Sequence, residues 1–189
     1  MLFFVIGLVV FLAVHSLSIV SRDLRNSLVE RFGPGTFKGI YSLISIASFV
    51  LLIWGYGQAR QAPVFLFHPP AWTRHLVWLL MVPVFPLLLA TYAPGKIQAT
   101  VKHPMLTAVK TWALAHLLAN GTLADLLLFG GFLAWAVADR ISLKRRPDAE
   151  VPAPRGWSPG DAVAITVGLG LYAAFFLWLH PLLFGVAVR

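Results

Sequence analysis

The 189-residue chain contains no cysteine. That excludes a disulfide framework, an iron–sulfur cluster, a Cys-ligated zinc, a thiolate nucleophile and covalently attached c-type haem. Carboxylates are scarce too: Asp23, Glu30, Asp125, Asp139, Asp148, Glu150 and Asp161 complete the set. All but Asp125 fall in predicted loops or at helix ends, so no buried acid–base pair or carboxylate proton relay is visible. Charged residues make up 12% of the chain, about half the share usual in a soluble domain. Apolar side chains replace them, at 59% of residues and a mean hydropathy of +0.80. One soluble core of 20.8 kDa could not hide that much apolar surface. The composition therefore disfavours a soluble enzyme, a nucleic-acid module or a secreted scaffold, and the default reading is an integral membrane protein.

A helix needs about 20 apolar residues to cross the hydrocarbon. Six such runs can be drawn in this sequence, leaving short connections and a single transmembrane domain over 1–189. The first, Leu2 to about Val20, is preceded by no positive charge and followed by Arg22 and Arg25, so it reads as an uncleaved helix rather than a signal peptide. A short polar stretch with Gly33-Pro34-Gly35 leads to the second, about Gly39 to Gly57. The third, about His75 to Ala93, contains Pro83 and Pro86 and should kink. Pro94-Gly95 ends it. The fourth runs from about Pro104 to Ala119, where Asn120-Gly121-Thr122 turns the chain. The fifth reaches about Ala138, and the sixth spans about Asp161 to Gly185. No internal repeat is present. The expected fold is an all-α bundle of six transmembrane helices.

The net charge of +8 is placed between these runs. The first, third and fifth connections carry eleven Lys and Arg, among them Arg25, Lys38, Lys96, Lys102 and the Lys144-Arg145-Arg146 cluster. The opposite side carries Arg60, Arg74 and Arg189. Cationic loops stay in the cytoplasm, so both termini should be periplasmic, and the charge needs no nucleic-acid partner. The basic cluster also suits contact with anionic membrane lipid. The second connection, Ala62 to Trp72, is apolar but broken by three prolines, so it should lie in the outer interface or cover a cavity. Asp125 sits where a helix N-terminus favours negative charge.

Ionisable residues inside spans are costly and point to function by default. His15, His116 and His180 fall within predicted spans, His103 and His75 at span ends, and His68 in a loop. Imidazole suits haem iron, copper and zinc. Without cysteine or an inward carboxylate, a two-histidine site points to haem b more than to zinc, and no His-Glu-x-x-His spacing supports a zinc protease. The alternative for each histidine is a neutral ring bonded to a neighbouring helix. His103 and His116 are 13 positions apart, roughly 220° around a helix, so they cannot share one iron. This leaves His15 with His116, or His15 with His103. His15 should lie roughly 9 Å from the cytoplasmic end of its span, and His116 roughly 19 Å beyond His103. Tilt or a dipped fourth helix is needed to level the first pair. Ser18 and Asn120 lie on the helix faces suited to accept the outer N–H of each ligating ring.

Several segments together resemble the NnrU family of bacterial membrane proteins, which is related to plant and cyanobacterial cis-zeta-carotene isomerase. They are Ala13-Val14-His15-Ser16, Phe37-Lys38-Gly39-Ile40-Tyr41-Ser42, and Trp54-Gly55-Tyr56. Lys102-His103-Pro104 and the run Trp112 to Gly121 follow, then Leu128-Phe129-Gly130-Gly131, Asp139-Arg140 and His180-Pro181-Leu182. The resemblance covers most of the chain. It implies a bacterial inner-membrane protein tied to nitrite and nitric oxide (denitrification) metabolism or redox sensing, with a nitrogen-oxide respiratory partner. The isomerase relatives bind haem b through axial histidines that match His15 and His116. A cysteine three residues before the second histidine is their alternative ligand; here that position is Ala113, which removes the ligand switch. Two further readings are a haem-dependent cis–trans isomerase of a hydrophobic, carotene-like polyene, and a cofactor-free scaffold or assembly factor. Lys102-His103-Pro104 is also similar to the Arg-His-Pro motif of membrane methyltransferases, but their downstream glutamate and tyrosines are missing.

Overall fold

A computed structural model describes residues 1–146, 152–153 and 155–188. Pro147, Asp148, Glu150, Pro154 and Arg189 lie outside the described residues. The elements are α1 (Leu2–His15), α2 (Leu17–Val20), α3 (Arg22–Phe32), α4 (Pro34–Ala59), α5 (Thr73–Met81), α6 (Val84–Ala90), α7 (Lys96–Val101), α8 (Pro104–Ala119), α9 (Leu123–Lys144), α10 (Pro159–Ala174) and α11 (His180–Phe184). A π-helical turn, Phe175–Leu179, joins the last two. Among the described residues the fold is all-helical apart from one isolated antiparallel bridge, Phe65 to Thr122.

Four helical stretches are long and apolar enough to cross a membrane: Pro34–Ala59, Thr73–Ala90, Leu123–Lys144 and Pro159–Phe184. Their outward faces carry large apolar side chains such as Leu43, Leu79 and Leu182, as hydrocarbon contact requires. The expected count of six crossings goes further than this. α1 has 14 residues and α8 has 16, both below the usual length of about 20.

The chain divides into two compact units: Met1–His68 with Asn120–Leu143, and Pro69–Ala119 with Lys144–Arg189. In the first unit α1 packs along α4. The contact is backbone to backbone at two glycines. A methyl group on Gly7 would lie 2.5 Å from the Leu52 nitrogen, and one on Gly55 would overlap the Phe4 main chain. Small residues of this kind let helices approach where no hydrophobic effect drives them together. α9 completes the unit: Gly131 meets Leu8 and Leu12, and the Phe11 ring lies 5.6 Å from Phe49 and 5.7 Å from Phe132.

One end of this unit is tied by main chain. Leu66 N and Phe67 N donate to the Gly121 carbonyl at 2.8 and 3.2 Å, and Leu123 N donates to Val64 O at 2.8 Å. The predicted second connection is therefore paired with the turn before α9. Asp125, 5% exposed, caps α9: it accepts from Thr122 N at 3.1 Å and Thr122 Oγ1 at 2.6 Å, while its own N–H donates to Thr122 Oγ1. The Tyr56 hydroxyl donates to the same carboxylate across from α4. This bears out the expected place of Asp125 at a helix start and supplies the partner that a buried carboxylate needs.

In the second unit α5 ends at Met81 and α6 begins at Val84, so the expected break falls at Pro83. Pro86 meets Gly168 of α10, where a methyl group would lie 2.5 Å from the proline nitrogen. Asp161, 2% exposed, accepts from Lys96 N, Ile97 N and Ser158 N at 2.9, 2.8 and 2.9 Å. One carboxylate thus caps both α7 and α10. Ser158 Oγ extends the clamp to Pro94 O at 2.8 Å.

Several boundaries differ from expectation. α4 starts at Pro34 rather than Gly39, because Gly33 takes a positive φ of 78° and Pro34 opens the helix. The first connection is a helix, α3, capped by Ser21 Oγ accepting from Leu24 N at 3.1 Å. α9 runs past Ala138 to Lys144, carrying Asp139 and Arg140 as helical residues. α8 keeps the expected bounds, and the last span ends on Gly185 in the left-handed region.

Candidate functional site

His15 closes the last turn of α1. Its Nδ1 lies 2.7 Å from the Phe11 carbonyl oxygen. A carbonyl only accepts, so Nδ1 carries the hydrogen and Nε2 is the nitrogen that can offer a lone pair. The ring stacks on Phe11 at 4.2 Å, with Tyr41 at 5.5 Å and Trp135 edge-on at 6.2 Å. Trp135 Nε1 is buried without a hydrogen-bond partner. Three aromatic rings from α1, α4 and α9 therefore fix the orientation of this imidazole. Ser16 reinforces the turn by donating its hydroxyl to Leu12 O at 2.7 Å. That back-bonding accompanies the short break between α1 and α2.

His15 also forms part of the wall of a groove of about 400 Å³. Ser18, Arg25, Lys38 and Tyr41 supply its other polar groups, and Val14, Leu17 and Phe37 its apolar surface. The Arg25 guanidinium lies 5.8 Å from the Phe37 ring centroid, a cation–π contact. An apolar slot of about 340 Å³ adjoins it, sharing Val14, Leu17, Phe37 and Tyr41 and adding Leu28, Phe32, Ile40 and Ile44.

His116 repeats the arrangement in the second unit. Its Nδ1 lies 2.9 Å from the Trp112 carbonyl, and the Trp112 ring is 5.3 Å away. In both rings Nδ1 thus lies against a carbonyl one turn upstream. His103 precedes α8, where its N–H donates to Val101 O at 2.8 Å across Lys102, at φ 66° and ψ −44°. This is a γ-turn with positive φ at a non-glycine residue, a rare backbone state. The remaining histidines are held elsewhere: His68 stacks on Phe65, His75 meets Trp78 edge-on, and His180 Nδ1 donates to Val186 O at 2.9 Å.

Among the described residues no three His, Cys, Asp or Glu side chains converge on one point. A macrocycle that brings its own equatorial donors needs only one or two protein ligands. His15, with Nδ1–H donated and Nε2 bearing the lone pair, has the donor chemistry of such an axial ligand.

Comparison with curated proteins and with solved structures gives no match for this chain. A family model described as NnrU protein matches residues 3–188. Nearly the whole chain is covered, and it belongs to the NnrU protein family.

Proposed function

We propose that this NnrU-type membrane protein binds haem b, with His15 as one axial ligand, and serves nitrite and nitric oxide metabolism or redox sensing in the bacterial inner membrane. The observation that carries the reading is the His15 imidazole. It is oriented by three aromatic rings, tied through Nδ1 to the Phe11 carbonyl, and left with Nε2 as its basic atom. Bound haem would supply a redox-active iron. The part of the protein is to fix the ring, set its tautomer and surround it with apolar and aromatic side chains. His116, likewise tied to a carbonyl one turn upstream, is the second ligand by family resemblance, with His103 as the alternative.

The test is the absorption spectrum of protein purified after haem supplementation. A Soret band is expected. His15→Ala and His116→Ala should lower haem occupancy or convert a six-coordinate low-spin spectrum to a five-coordinate one. His68→Ala and His75→Ala should leave it unchanged. Loss of the low-spin form in His103→Ala but not in His116→Ala would move the second ligand to His103. Absence of any Soret band in the wild type would remove the haem reading and leave the scaffold reading in its place.

A further inference from the structure

The basic groove and the apolar slot beside it make one amphiphilic site. Phe37 and Tyr41 line both, so the two spaces adjoin at the Phe37 ring, with the Arg25 guanidinium 5.8 Å from its centroid. Arg25 and Lys38 bring two positive charges to the groove, and among the described residues no carboxylate lines either space. The slot is walled by Ala13, Leu28, Phe32, Ile40 and Ile44, and among the described residues no charged one lines it. Charge therefore selects an anion at one end, and hydrocarbon is matched at the other.

We propose that this site holds one anionic phospholipid of the surrounding membrane, with the phosphate at Arg25 and Lys38 and an acyl chain in the slot between α3 and α4. The helical first connection gives the site its form. α3 places Arg25 towards the groove, and Leu28 and Phe32 towards the slot, at spacings of three and four residues. Guanidinium and ammonium groups both suit phosphate. The slot is lined without His15, but the groove shares that residue with the proposed haem site, so the lipid test uses protein that shows no Soret band.

Native mass spectrometry of the full chain, released from detergent with phosphatidylglycerol or phosphatidylcholine added, tests this. The wild type should keep one phosphatidylglycerol in preference to phosphatidylcholine. Arg25→Gln and Lys38→Gln should each weaken that preference by about fivefold. Both side chains are exposed, so folding should survive, which the thermal midpoint checks. Ile44→Trp, which fills the slot and leaves both charges, should lower phosphatidylglycerol retention as well. Arg74→Gln with Arg155→Gln, which removes two exposed charges outside the groove, should leave retention unchanged. Equal loss in that last variant would mean diffuse attraction by total charge and would overturn the proposal. So would equal retention of the two lipids, or a dimer that replaces the lipid adduct and disappears with Ile44→Trp, which would assign the slot to a second copy.

Discussion

Asp161 accepts three main-chain hydrogen bonds. Sequence position alone gave it a helix end. It gave no sign that α7, 65 residues earlier, begins on the same carboxylate. Both oxygens are in use, Oδ1 by Ile97 and Oδ2 by Lys96 and Ser158. An amide in its place would turn an NH₂ group towards a backbone N–H. Asp161→Asn should therefore lower stability by about 1–3 kcal/mol, measured by thermal unfolding in detergent, while exposed Asp23→Asn should leave the midpoint in place. Equal midpoints for the two variants would remove the clamp as a stabilising contact. Gly95 is held to its identity by the same group, because a methyl there would overlap the Asp161 carboxylate.

Among the elements, the α1–α4 pair depends on two glycines rather than on large interlocking side chains. Gly55→Val should push α4 away from Phe4, whereas Gly57→Val meets open space. Overpacking of this kind costs about 1–3 kcal/mol. The first variant should lower the thermal midpoint clearly; the second should barely move it. If both behave alike, the close approach is not what holds these helices. The bounds of α8 were legible because Pro104 marks its first turn and Asn120-Gly121 follows its last. The break at Pro83 was legible from a missing donor. α3 and α7 were not, since they are polar or short and lie outside the apolar runs. The extension of α9 is hidden for a related reason: Asp139 and Arg140 end the apolar run, while the helical hydrogen bonding continues to Lys144. The π turn left no hydropathy signal. It directly precedes His180-Pro181, where a proline inside a helix displaces the carbonyl four residues before it. At the candidate site, the histidines were visible as residue types, but their aromatic neighbours come from three helices. The groove required knowing that the first connection folds.

For the whole molecule, the eleven-to-three distribution of Lys and Arg predicts that the three basic connections face the cytoplasm. The chain has no cysteine, so single cysteines can be labelled without background. Cysteine at Ala71 should react with an impermeant reagent in intact cells, and cysteine at Gly35 or Ala153 should react only after the membrane is opened. The reverse pattern would invert the orientation. The pairing of Val64–Phe67 with Gly121–Leu123 adds a constraint that charge counting lacks: these two connections share one side of the membrane whichever way the protein is inserted.

Neither compact unit is built from one continuous stretch, and that bears on the order in which the protein can be made. Residues 69–119 emerge between the two parts of the first unit. A growing chain that has reached Ala119 has already made Tyr56, but the Asp125 that receives its hydroxyl has not yet been synthesised. Val64–Phe67 likewise await the turn that pairs with them. The first unit must therefore wait, open at one end, while residues 69–119 are made. Its closure is a late event of biogenesis, set by the arrival of α9 rather than by the helices made first.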